Sequence, residues 1–419
     1  MLYYSIVENT QTMKKTDHNL AIVFDDLTEF FVMQPAINAM EKTNIKVDII
    51  VPYDSGYNHL AEYTFKKIKS LGYSPLKDAP NNVRYKILLT PYPGLDIVKR
   101  LNYVYHIRYP YGAFSAKPNP TYLPECKIDY DAIFSFNKYE TFLNAYGPII
   151  YPLPYWRYHN FKRQATNNKK PTLLLLPTFG TDVSFIKHFT TKTMEDIKQH
   201  FHIIAKAHHA VHFGIDGEES LEILENLSDE FYDSSVAIDT LLSKANVVLS
   251  DNSGAIFEAI CAGVPIAIFT DDPNARHLNK LNTMQYELVQ EKVIPQAKKP
   301  NEILPILLNI KKYAKKQAET KEKLFICDYK NPYKDFLDII NHYLEIDENT
   351  DKRKILHDIL LEKLSEQELR IKKLEQEIIK KDEISANLTK HIEAIYNSTS
   401  WKITKPLRII KTKGQSNAK

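Results

Sequence analysis

Residues 246–269, Asn-Val-Val-Leu-Ser-Asp-Asn-Ser-Gly-Ala-Ile-Phe-Glu-Ala-Ile-Cys-Ala-Gly-Val-Pro-Ile-Ala-Ile-Phe, constrain this chain more than any other segment. They read as a buried strand, a polar turn, a short helix, a glycine stop and a second buried strand. The turn Ser250–Gly254 falls where a parallel sheet opens at its carboxyl edge, and open α/β sheets bind ligands there. The helix begins at Ser253 or Gly254, so its free N–H groups and positive dipole end face that edge. An anion, most often a phosphate, is the natural occupant. Glu258 interrupts the apolar helix face one turn later. The same residues also fit a purely structural role. Asp251 and Ser253 are good N-caps, and Gly263-Val-Pro265 is an ordinary stop before a strand.

Alternation of strand and helix extends over the body of the chain. Strands are expected at 20–24, 47–51, 85–89, 103–107 and 132–136, with helices at 30–42 and 60–71. A second α/β unit follows, with strands at 172–176 and 202–207 and helices at 185–200, 235–242, 301–319 and 335–344. Tyr151–Trp156 and the polar run Gln164–Lys170 read as the connection between the two. The expected fold class is α/β, with two Rossmann-like domains facing a cleft. The first spans 1–160 and the second 161–346.

Residues 352–398 obey a different rule. Leu360, Leu364, Ile371, Leu374, Ile378, Leu388, Ile392 and Ile395 fall on a and d positions of one heptad frame, with Gln367, Lys381 and Ser385 as polar exceptions. No glycine or proline interrupts them. This pattern predicts an α-helical coiled coil, hence a homo-oligomer; a single amphipathic helix packed on the body satisfies it too. The tail, 399–419, contains Trp401-Lys-Ile-Thr-Lys-Pro-Leu-Arg-Ile-Ile-Lys-Thr-Lys413, and no acid follows Glu393. Such a segment suits an anionic membrane surface, and equally a soluble frayed end.

Bulk properties exclude several classes. A net charge of +3 gives no global pull toward nucleic acid. Cys126, Cys261 and Cys327 are far apart and form no metal spacing, as expected of a reducing cytoplasm. His208-His209 and His212 lack a nearby carboxylate or cysteine, so no metal site is expected. Neither a signal peptide nor an apolar run of bilayer length is evident. The chain is expected to be cytoplasmic, with peripheral attachment to the inner face of the plasma membrane through its tail.

Polar groups at predicted strand ends carry the candidate chemistry. They are Thr178, Lys206 with His208, and the Ser250–Ser253 turn in the second domain, and His106 in the first. Lys206 and His208 alternate with Ala207, so they share a face if the strand continues that far. Together with Ser253 and the helix start they can hold a diphosphate and stabilise charge on a leaving phosphate. Glu258 can accept from ribose hydroxyls. His106 can deprotonate an acceptor hydroxyl, although a lone histidine at a strand end also fits simple packing. No glycine-rich phosphate loop, Walker motif or Asp-x-Asp motif occurs. Histidine, hydroxyls and backbone amides would therefore hold the nucleotide.

Several motifs, read in order, resemble the CDP-glycerol glycerophosphotransferase family, the teichoic-acid primases and polymerases. They are Lys170-Pro-Thr-Leu-Leu-Leu-Leu-Pro-Thr-Phe179, Ile204-Ala-Lys-Ala-His208, and Leu241-Leu-Ser-Lys-Ala-Asn-Val-Val-Leu-Ser-Asp-Asn-Ser253 with Phe257-Glu258 and Gly263-Val-Pro265. Asp131-Ala-Ile-Phe-Ser-Phe136 and Gly147-Pro148 are similar to family segments near the domain junction. The likeness covers residues 80–345. It implies a GT-B fold and a donor site built from Thr178, Lys206, His208, Asp251, Ser253, Gly254 and Glu258, with His106 and His208 catalytic. It also implies a CDP-activated polyol as donor, a glycan or lipid-linked acceptor, and no separate cofactor. The chain departs from the pattern where His209 replaces a proline, where Asn252-Ser253-Gly254 replaces Tyr-Ser-Ser, and where Ile107 replaces the glycine after the acceptor-side histidine. Residues 398–408 resemble a segment that follows coiled coils in bacterial polysaccharide glycosyltransferases. A nucleotide-sugar glycosyltransferase of the same fold, and a non-catalytic coiled-coil scaffold, are the alternatives. A UDP-sugar 2-epimerase shares a similar turn, but its N-terminal Gly-Thr-Arg-Pro pattern is missing.

Overall fold

The computed structural model describes residues 20–53, 58–78, 80, 83–91, 95–110, 112–113, 130–138, 148–178, 184–189, 191–208, 217–251, 253–270, 284–327, 329–347 and 349–399. His209, His212, Asn252 and the basic tail from Trp401 onward lie outside the described residues. Two units are resolved, 1–351 and 352–419.

Among the described residues, the first unit contains two six-stranded sheets in which every pairing is parallel. The first sheet holds β1 (Leu20–Val23), β2 (Val47–Ile50), β3 (Arg84–Thr90), β4 (Asn102–Arg108), β5 (Ala132–Ser135) and β6 (Ile149–Pro152), in the order β2-β1-β3-β4-β5-β6. The second holds β7 (Thr172–Leu176), β8 (His202–Lys206), β9 (Glu230–Tyr232), β10 (Val247–Ser250), β11 (Ile266–Phe269) and β12 (Gln296–Ala297), in the order β12-β11-β10-β7-β8-β9. Central strands such as β1 and β7 are buried along their whole length, as continuous apolar runs in doubly covered sheets must be.

The helices are α1 (Leu27–Glu41), α2 (Asn58–Ser70), α3 (Thr191–His200), α4 (Gly217–Leu227), α5 (Ile238–Lys244), α6 (Ala255–Ala262), α7 (Met284–Gln290), α8 (Pro300–Leu308), α9 (Lys311–Leu324), α10 (Lys334–Glu345) and α11 (Lys352–Asn397). α1 starts on a capping box. The Asp26 carboxylate accepts the Thr28 and Glu29 N–H groups, and Glu29 Oε2 accepts from Asp25 at 2.6 Å and from Asp26 at 3.3 Å. Glu29 is buried, and that burial, with the charges of Asp26 and Asp25, pushes its carboxyl well above the usual range. At the other end of such an element, Gly263 sits at φ +67° and stops α6. Val264 N–H then reaches the Ala259 carbonyl, a closure that only a left-handed residue permits without strain.

α4, β9, α7 and β12 have no counterpart in the sequence expectation, and three further features depart from it. The helix expected at 185–200 is a short 3₁₀ turn, Phe185–His188, followed by α3. The helix expected at 301–319 is divided between α8 and α9. The segment Tyr151–Trp156, expected as a bare connection, begins inside β6. There Pro152 is tolerated because β6 is an edge strand. Trp156 is then buried and donates its indole N–H to the Val32 carbonyl at 2.7 Å.

α10 follows the second sheet in sequence but packs on the first. Phe336 meets Phe134 and Trp156 with ring centroids 5.4 and 5.3 Å apart, and Tyr343 meets Tyr105 at 4.9 Å. One apolar core therefore runs through residues of both sheets. α11 forms the second unit. Its 46 residues span roughly 69 Å at 1.5 Å per residue. Ile371, Leu374, Ile378, Leu388, Ile392 and Ile395 are each about half exposed along it. Among the described residues, no helix is long and apolar enough to cross a membrane.

Candidate functional site

β7 and β10 are neighbours in the second sheet, while β8 lies beyond β7 and β11 beyond β10. The chain thus leaves the carboxyl ends of β7 and β10 in opposite directions, which opens a crevice between them. Local bonds shape that crevice. Ser250 Oγ donates to the Leu176 carbonyl at 2.6 Å. Asp251 Oδ2 accepts the backbone N–H of Thr178 at 2.9 Å and that of Phe185 at 3.4 Å. Asp251 therefore ties the loop after β7 to the loop after β10. The cap of α6 is Gly254, and Ser253 Oγ accepts the Ala255 N–H at 3.2 Å.

A cleft with a cavity volume of about 160 Å³, open to solvent, lies over this edge. Lys206, His208, Ser253, Gly254 and Glu258 line it from the second sheet, with Pro177 beside them. Thr28 and Phe31 at the start of α1, with Gly112 and Ala113, line it from the first. β8 ends at Lys206, so Lys206 and His208 project at the strand's mouth. Burial pulls the Lys206 ammonium down to about 8; Arg157 adds to this, while Asp233 and Asp26 oppose it. The ammonium is thus a charge held near its titration point inside a cleft. Thr178 is not among the lining residues, although its neighbour Pro177 is.

Glu258 has a fuller set of partners than the sequence suggests. Oε1 accepts the Ala113 N–H and the Tyr155 hydroxyl, both at 2.9 Å. Oε2 accepts the Tyr158 hydroxyl at 2.6 Å and lies 3.6 Å from the Arg157 guanidinium. All four partners precede the second sheet in sequence, so one carboxylate pins α6 to the first half of the unit. Burial pushes the Tyr155 and Tyr158 phenols well up, and the Glu258 charge adds to it. Arg157 lines the cleft as well. The sequence signal for it is faint: one cation inside the aromatic run Tyr155-Trp-Arg-Tyr158.

His106 has different surroundings. β4 continues to Arg108, which leaves His106 two residues inside the strand. Its Nε2 is 2.8 Å from Thr90 Oγ1, its ring is 4.4 Å from the Tyr130 ring, and it is buried. It is not among the residues lining the cleft. The structure thus brings Lys206, His208, Ser253, Gly254 and Glu258 together and leaves His106 apart. Among the described residues, no group of three or more His, Cys, Asp or Glu side chains is arranged to hold a metal ion.

No protein-family model and no curated protein sequence matches this chain. Solved structures do match it. A variant of the wall teichoic acid polymerase TagF, soaked with CDPG for 15 minutes, aligns with a TM-score of 0.54 at 14% identity, covering 79% of this chain and 90% of that one. Another TagF variant gives 0.53 at 13% identity, covering 81% and 92%. The fold is GT-B. A UDP-GlcNAc 2-epimerase from Neisseria meningitidis bound to UDP-GlcNAc aligns more loosely, with a TM-score of 0.45 at 13% identity over 78% of this chain and 99% of that one. At such identities the likeness is one of fold. The cleft lined by Lys206 and Ser253 takes its walls from both sheets of this fold.

Proposed function

We propose that this GT-B protein is a transferase that uses a CDP-activated polyol, with CDP-glycerol the favoured donor. It passes the polyol phosphate to a hydroxyl of a cell-surface glycan or lipid-linked acceptor. The acceptor oxygen attacks the phosphorus distal to cytidine, the bond from that phosphorus to the bridging oxygen breaks, and CMP leaves with the electron pair. The observation that carries this reading is the convergence of Lys206, His208, Ser253 and the start of α6 on one cleft at the second sheet's crossover. Cations and backbone N–H groups there suit a diphosphate and the charge that develops on CMP. The likeness of fold to TagF soaked with CDPG supports the donor class.

In this reading Lys206, His208 and Ser253 hold the diphosphate, with Thr178 and Asp251 shaping the loops behind it. Glu258 is assigned to positioning, because its oxygens already accept three donors. The base role of His106 is not carried forward, because its Nε2 faces Thr90 off the cleft. Among the described residues His208 is the imidazole that lines the cleft, and it takes the acid–base work. Purified full-length protein incubated with CDP-glycerol and an acceptor glycan should release CMP, and His208→Ala should abolish that release. Wild-type turnover by His208→Ala would sink the assignment. A thermal-shift panel of CDP, UDP and GDP tests the donor. Protection by UDP or GDP alone would make the protein a nucleotide-sugar glycosyltransferase, and protection by none would favour a scaffold.

The heptad seam of α11 supports a second copy of the chain as partner, through a coiled coil. Leu374→Asp combined with Ile378→Asp should convert the sedimenting species from oligomer to monomer. An unchanged sedimentation coefficient would refute the seam. The basic tail supports attachment to anionic lipid. Removal of residues 399–419 should abolish pelleting with phosphatidylserine vesicles but not alter CMP release.

A further inference from the structure

Arg157 takes no part in the transfer step proposed for Lys206 and His208, and its surroundings are unusual for a buried cation. Its side chain is 5% exposed and it lines the cleft. The Nη1 atom is 3.6 Å from Glu258 Oε2, and Nε is 3.9 Å from Asp239 Oδ1. Both distances exceed a hydrogen bond. Nε is buried with no hydrogen-bond partner among the described residues. Glu258, the nearer acid, is already engaged by two tyrosine hydroxyls and the Ala113 N–H. Burial works against the guanidinium charge, but Tyr155, Glu258, Tyr158 and Asp239 together outweigh it and hold the pKa above its ordinary value. The group is therefore always charged and carries a buried donor without an acceptor. Such a donor costs the folded state unless something supplies the acceptor. Its planar fork matches two oxygens of one phosphate.

We propose that Arg157 is the anchor for one phosphate of a diphosphate ligand, while Lys206 and the Ser253–Gly254 start of α6 take the other. This rests on the reading of the cleft as a diphosphate site, and adds to it a residue from the segment joining the two sheets. Glu258 then acts as the positioning residue that holds the guanidinium by charge without consuming its donors.

Isothermal titration of the full chain with CDP, CMP and inorganic pyrophosphate tests this, with circular dichroism melting as the control. Arg157→Lys keeps the charge but loses the fork. It should weaken CDP and pyrophosphate at least about tenfold, affect CMP less, and leave the melting temperature close to wild type. An equal loss for all three ligands with a lowered melting temperature would mark a structural arginine and overturn the proposal. Glu258→Gln removes the charge that holds the guanidinium in place. It should weaken CDP and pyrophosphate together, and this variant decides the matter if Arg157→Lys does not fold. Weaker CDP with unchanged pyrophosphate would instead make Glu258 a ribose ligand and overturn its positioning role. If wild-type protein binds CDP and Arg157→Lys binds it equally well, Arg157 alone is excluded. If wild-type protein binds neither a nucleoside diphosphate nor pyrophosphate, the diphosphate reading fails first.

Discussion

The carboxyl ends of β4 and β8 offer a direct comparison between the two sheets. Each strand carries a histidine near its end, and each looks equivalent in the sequence. β8 stops at Lys206, so Lys206 and His208 emerge into the cleft. β4 runs on to Arg108, so His106 stays inside the ladder, against Thr90 and Tyr130. The difference is a few residues of strand. It teaches that a polar residue at a predicted strand end reaches the cleft only where the ladder stops at it or before it. Where the ladder continues, the same residue type becomes a satisfied core group.

The largest expected effect lies at β8. Lys206→Met should reduce CMP release by at least about 100-fold, because it removes a cation that faces developing charge. It should also raise the melting temperature at pH 7. The lysine's folded value, about 8, lies below its ordinary 10.5. Below about pH 8 the folded and unfolded chains both carry the proton, and the buried charge is penalised in full. Between about 8 and 10.5 only the unfolded chain stays protonated, so the penalty fades as pH rises. The gain in stability from Lys206→Met should therefore shrink from pH 7 to pH 10. A constant gain across that range would mean that burial is not what shifts this lysine.

A smaller effect is expected at β4. His106→Asn should leave CMP release unchanged and lower unfolding free energy by about 1–2 kcal/mol, through loss of the Thr90 bond and ring packing. A collapse of turnover in a folded His106→Asn protein would break the comparison and restore the histidine as a base. The smallest effect is expected from Thr90→Val, about 1 kcal/mol, read by urea unfolding. A similar cost for both substitutions would show that the hydrogen bond carries most of the contribution of His106 to stability.

Much of the second sheet's edge is legible in the sequence. The strand, turn, helix and glycine stop of residues 246–269 lie close to where apolar runs, cap residues and Gly263 put them, because each is a local preference. Lys206 and His208 are legible as polar residues near a predicted strand end, but β8 stops at Lys206, short of the His208 that the alternation with Ala207 requires. Glu258 is visible as a lone acid on an apolar face, but its partners are not. Ala113, Tyr155, Arg157 and Tyr158 lie about 100 to 145 residues away, and no local pattern brings them together. The return of α10 to the first sheet is equally hidden, because its apolar face fits either sheet until Phe336 and Tyr343 meet Phe134, Trp156 and Tyr105.

The α/β class, the parallel strands, the polar turn after β10 and the long heptad helix are legible in the order of amino acids alone. Each follows from spacing along the chain and from the conformational limits of a few residues. Tertiary structure alone decided that Asp251 ties two loops, that His106 is packed away, and that Glu258 and Arg157 meet beneath the cleft. Those outcomes depend on where strands end and which distant backbones approach. Hydrogen-bond satisfaction in a buried space settles them, and it is a property of the assembled whole.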